Sequence, residues 1–142
     1  MPLVRSIRTV TILTLAGVLG WIQPPATTDP ADPADPADRS AWHEIQWSAY
    51  LADQMGGEAE HRLPDGSRVD ILTDSTAWEV DWCRSGKWSQ GCGQALYYGL
   101  ATNREPGLIL LQKDPTAERR HYLRALVVCA KYGIRLRVVV VR

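Results

Sequence analysis

At 142 residues, of which about the first forty lack a globular pattern, the chain has room for one domain of about 100 residues and one core, which excludes a separate recognition module. The composition is globular, at 45% hydrophobic and 23% charged, but with no Phe the aromatic packing falls to six Trp and five Tyr. Sixteen Lys plus Arg balance sixteen Asp plus Glu, and a net charge of zero excludes any inference about partners from bulk charge.

Arg5 and Arg8 precede an uncharged apolar stretch, residues 9–22 (TVTILTLAGVLGWI), the order of a basic n-region and an apolar h-region. The stretch falls short of the roughly 20 residues of a membrane span. A signal peptide over residues 1–26, cut near Ala26, is therefore expected ahead of a membrane tether through residues 9–22 or a buried N-terminal helix. Either targeting reading places the domain outside the cytoplasm, periplasmic, extracellular or anchored. Residues 27–39 continue a Pro-Ala-Asp repeat with nothing large to bury and a proline at every third position, so they read as a stiff, acidic linker. Beyond the linker, residues 40–142 read as the domain.

Residues 41–55 space Ile45, Ala49, Ala52 and Met55 at helical intervals after Ser40 as N-cap, and stop at Gly56-Gly57. Residues 59–63, 67–73 and 77–82 read as a three-stranded meander with turns at Pro64-Asp65-Gly66 and Asp74-Ser75. Residues 87–102 form a second helix, 108–112 a continuous apolar strand, 116–132 a third helix stopped by Gly133, and 134–141 a final strand. The order α-β-β-β-α-β-α-β predicts an α/β domain with a mixed sheet covered by helices.

Once Arg5, Arg8 and the four linker aspartates are set aside, fourteen basic residues face twelve acidic ones. Arg119, Arg120, Arg124, Lys131, Arg135, Arg137 and Arg142 crowd the end with no acid after Glu118, either a surface able to track phosphates or a solvated helix and strand end. Cys83, Cys92 and Cys129 have no metal-ligand spacing. Buried free thiols are the simplest expectation; after export, Cys83 and Cys92 are the pair nearest in sequence for a disulfide. No Ser or Cys elbow accompanies His43, His61 or His121, which argues against a nucleophilic hydrolase.

The hairpin RVDILTDSTAWEVDW separates chemistry from packing. With Asp74 and Ser75 as its loop, Thr73 pairs with Thr76, Asp70 lies opposite Glu79 and Arg68 opposite Asp81, while Val69, Ile71, Trp78, Val80 and Trp82 take the other face. Opposed carboxylates repel and raise each other's pKa unless a cation lies between them. Asp70 and Glu79 are thus either ligands of a hard divalent ion such as Mg²⁺ or solvated charges on an exposed face.

A helix, a meander carrying Asp and then Glu-x-(Lys or substitute), and a closing helix and strand resemble the PD-(D/E)XK nuclease superfamily, across nearly all of residues 41–140. The resemblance implies a restriction-endonuclease-like core and metal-dependent phosphodiester hydrolysis, with Asp70, Glu79 and the carbonyl of Val80 as ligands of Mg²⁺ or Mn²⁺. It also implies that Gln94 and Tyr98 line the site and that Glu60 either supplements the metal shell or is an exposed strand charge. The family's lysine position holds Asp81, free to pair with Arg68, so the resemblance implies a lysine migrated to Lys87. Nucleic acid, DNA ahead of RNA, is the implied partner; a catalytically inactive binding or interaction module at the cell envelope is the alternative. Oligomeric state is open.

Overall fold

The computed structural model of the protein describes residues 39–84 and 86–141. The expected signal or anchor segment and nearly all of the linker lie outside them, as does Arg142. A 3-10 turn at Arg39–Ala41 leads to α1 (Glu44–Met55), β1 (Glu58–Arg62), β2 (Arg68–Leu72), β3 (Thr76–Trp82), α2 (Lys87–Thr102), β4 (Glu105–Gln112), α3 (Arg119–Tyr132) and β5 (Arg135–Val140). The five strands form one mixed sheet in sequence order, antiparallel from β1 to β3 and parallel from β3 to β5. This is the α/β order that the periodicity predicts, with three flanking helices. Among the described residues no helix is long and apolar enough to cross a membrane.

The two faces of the sheet are separated by alternation. Ile71, Trp78, Val80, Trp82, Ile109 and Leu111 pack with Trp47 and Ala52 of α1. Leu108 and Leu110, together with Cys83, pack with Cys92 and Ala95 of α2 and with Ala125 and Cys129 of α3. Strand β4 thus buries both faces, which is why it reads as an unbroken apolar run. Val69 departs from the expected alternation, because it packs with Leu63, Leu72, Ala77 and Tyr98 on the α2 side; the strand turns over at Asp70.

Helix α1 begins three residues later than Ser40 capping predicts. Trp42 is used for packing instead, edge-on to Trp47 and Tyr50 with centroids 5.2 and 5.8 Å away, contacts of about 0.5–1.5 kcal/mol each beyond burial. Gln46 Oε1 accepts the N–H of His43 at 2.9 Å and so closes the helix start. Helix α3 is also shorter than predicted, since Asp114 Oδ1 accepts the N–H groups of Thr116 and Ala117 and holds them in a turn. Strand β4 starts earlier than its apolar run, at Glu105 beside Thr76. Gly107 is required there: a Cβ would stand 2.4 Å from the Trp78 ring.

The C-terminal basic run does not form one stripe. The guanidinium groups of Arg135 and Arg137 cover Trp78, at 5.7 and 5.1 Å from its ring, on the α1 side of the sheet. Arg119, Arg120, Arg124 and Lys131 belong to α3, which covers the other side.

Candidate active site

The β2–β3 hairpin turns through Asp74 and Ser75, with the Thr73 N–H donating to Thr76 O at 3.0 Å. Its register pairs Leu72 with Ala77 and Ile71 with Trp78 and ends there, one step short of Asp70 and Glu79. At that step Asp70 turns its carboxylate to the neighbouring backbone, and Val80 N–H donates to Asp70 Oδ2 at 2.8 Å. Strand β1 is irregular at the same level. Its ladder with β2 passes from Ala59–Ile71 to His61–Val69, and the intervening Glu60 is left-handed, at φ 57°, a conformation costing a non-glycine residue about 1–3 kcal/mol. Arg68 Nη1 holds the Glu60 carboxylate at 2.7 Å. Arg68 therefore pairs with Glu60 and not with Asp81.

Five carboxylates act on one another across this region: Glu44, Glu60, Asp70, Glu79 and Asp81. Glu79 is only 7% exposed, and its Oε2 has no hydrogen-bond partner among the described residues. Burial first, then the charges of Asp70, Asp81, Glu44 and Glu60, push its carboxyl up to about 9. Burial also raises Asp70 to about 6, against the pull of the Val80 N–H and with the push of Glu60, Glu44 and Asp81. Asp81 is raised to about 6 by burial and by Glu44, opposed by the Trp82 N–H and by Lys87; its Oδ1 accepts that N–H at 2.9 Å.

Helix α2 supplies the wall over these acids. Gly91 lets it approach, since a Cβ there would lie 3.2 Å from Asp81 Oδ2 and 2.9 Å from Leu108 Cδ1. Further along, Tyr98 is buried, and its phenol is raised by burial and by Glu79, with a hydrogen bond from the Gln94 side chain opposing the shift and Asp70 adding to it. Gln94 and Tyr98 thus act as a pair beside Glu79 and Asp70. Lys87 is at the rim, its Nζ 3.5 Å from Glu44 Oε1. A cleft of about 430 Å³ lined by His43, Glu44, Ile45, Trp82, Arg84 and Lys87 opens there. Another, of about 370 Å³ near Thr73, Thr76, Trp78, Arg135 and Arg137, lies at the other end of β3 and includes none of the acids.

The fold therefore gathers Glu60, Asp70, Glu79, Asp81, Gln94 and Tyr98, with Lys87 linked through Glu44. Val80 contributes only backbone, because its side chain is in the α1-side core. Glu44 is the residue that sequence reasoning missed; in a first helical turn an acid reads as a favourable partner of the helix dipole, and nothing else in the sequence marks it. Among the described residues no three His, Cys, Asp or Glu side chains form a ready metal cage. His61 is tied to Glu58 at 2.8 Å. All three cysteines are buried free thiols, and the Cys83–Cys92 pairing is replaced by a close approach of Cys92 to Cys129. Compared with known proteins, the chain matches no family model, no curated protein and no solved structure.

Proposed function

We propose that the domain is a metal-dependent nuclease with a restriction-endonuclease-like core, hydrolysing phosphodiester bonds of nucleic acid, DNA before RNA, outside the cytoplasm. The observation that carries this reading is Glu79, a buried carboxylate with an oxygen that is unpartnered among the described residues, raised by the charges of Asp70 and further acids. Burying such a group among like charges costs several kcal/mol unless it is protonated or a cation compensates it. Hard oxygen donors suit Mg²⁺ or Mn²⁺, and Asp70, Glu79 and the Val80 carbonyl are the residues that would hold the ion. When bound, the ion neutralises the acids and makes a coordinated water more acidic.

The chain's own groups supply the rest. Lys87 brings a positive charge to the rim, where it offsets the negative charge that develops on a phosphate under attack. Tyr98 and Gln94 offer a hydroxyl and an amide to orient the strand beside Glu79 and Asp70. Asp81 stands where the superfamily has lysine; its interaction with Glu44 and Lys87 ties it to the same cluster, and it cannot perform the lysine's role.

The test is incubation of the purified full chain with single- and double-stranded DNA and RNA in Mn²⁺, Mg²⁺ or chelator, beside Asp70→Asn and Glu79→Ala. Metal-dependent cutting that both substitutions abolish while the protein stays folded is the expected result. Cutting that survives Glu79→Ala overturns the mechanism. A folded wild type that cuts nothing, and binds nucleic acid equally well in chelator, transfers the assignment to the inactive envelope module that Asp81 favours.

A further inference from the structure

Helices α2 and α3 share one buried cluster. Ala95 and Ala125 have no exposed surface, and they share one cluster with Cys92 and Cys129. Between the helices the sulfurs of Cys92 and Cys129 are 3.9 Å apart, although 37 positions separate the two residues in sequence. The third thiol is differently occupied: Gln112 Nε2 donates to Cys83 Sγ at 3.5 Å, and that thiol donates to Glu118 O at 3.9 Å.

We infer that Cys92 and Cys129 are a disulfide-forming site, joined when the protein folds in an oxidising compartment, and that Cys83 remains a free thiol. Closing the gap to the ~2.05 Å of a disulfide brings the two sulfurs together by about 2 Å. The oxidant is a disulfide, small-molecule or protein-borne. The Cys92 thiolate attacks one of its sulfurs and releases one thiolate; the Cys129 thiolate then attacks Cys92 Sγ in the mixed disulfide and releases the second. The two protons lost by the cysteines end on the two released thiols, so the protein is oxidised by two electrons and the oxidant reduced by two. Either thiol can attack first, with the other resolving the mixed disulfide. Both thiols are almost wholly buried, so exchange takes place during folding or local opening, before the helices close. The bond would clamp α2, the helix bearing Lys87, Gly91, Gln94 and Tyr98, to α3.

The experiment is refolding of the full chain in a glutathione redox buffer, followed by alkylation in denaturant and peptide mass mapping. The expected product is lighter by two hydrogens, has one alkylatable thiol at Cys83, and yields a Cys92–Cys129 linked peptide that disappears on reduction. Its melting temperature should exceed that of the reduced form by roughly 10 °C, because the bond closes a long loop of the unfolded chain. Cys83→Ala should keep both the bond and the shift, whereas Cys129→Ala should lose both. Three alkylatable thiols after refolding, a bond that includes Cys83, or an equal redox-dependent shift in Cys129→Ala would overturn the assignment. If Cys129→Ala does not fold, the oxidised and reduced wild type and Cys83→Ala decide the matter alone.

Discussion

Replacing Glu79 by Gln tests the electrostatic core of the site without chemistry. The carboxyl moves from 4.5 to about 9 on folding, so at neutral pH and without metal the folded state holds a proton that the unfolded chain has released. A raised folded-state pKa gives stability that is complete below the unfolded value and is lost as pH rises through the folded one. For Glu79 the window is therefore 4.5 to about 9, and integration between pH 7 and pH 9 gives a loss of about 2 kcal/mol from this group alone. Asp70 and Asp81, raised to about 6, lose their contributions mainly below that interval. Urea unfolding of metal-free protein at pH 7, 8 and 9 should show wild-type stability falling by about this amount and Glu79→Gln nearly flat, with unchanged m-values. Equal slopes for the two proteins would refute the claim that Glu79 is protonated in the metal-free fold. Millimolar Mn²⁺ should reduce the wild-type slope and leave the Gln variant unaffected, because a cation takes the proton's place.

Lys87→Ala should lower the rate of metal-dependent cleavage by roughly 10²–10³-fold, the usual loss for a charge that stabilises a transition state, without weakening thermal stabilisation by Mn²⁺; a rate within a factor of about three of wild type would remove Lys87 from the catalytic set. Gly107→Ala should destabilise the domain by about 1–3 kcal/mol in chemical denaturation, since its Cβ would stand 2.4 Å from the Trp78 indole in a packed core. An unchanged midpoint would mean that Trp78 can move aside.

Much of the fold was legible because its signals are local. Residues 87–102 carry a helical pattern between Gly86 and Asn103, both left-handed in the structure, and the helix has those bounds. Asp74 and Ser75 form the hairpin loop, so counting outward was enough to pair Leu72 with Ala77 and Ile71 with Trp78, although the ladder ends one step short of Asp70 and Glu79. The start of β4 was less legible, since Glu-Pro-Gly reads as a breaker; its pairing with β3 is a long-range fact that overrides local propensity.

The sequence by itself determined the order of elements, the turns and the alternation of Trp78, Val80 and Trp82 along β3, because these depend on neighbours a few residues away. Only the tertiary structure decided which distant residues complete the site. Glu44 reaches the acids from the start of α1, Arg68 is drawn to Glu60 by the backbone irregularity on β1, and Val69 changes sides as β2 turns over at Asp70. Cys92 meets Cys129 where α2 and α3 share one buried cluster. Each of these depends on how far apart packed elements stand, a distance fixed by side-chain volume in the core rather than by any spacing along the chain.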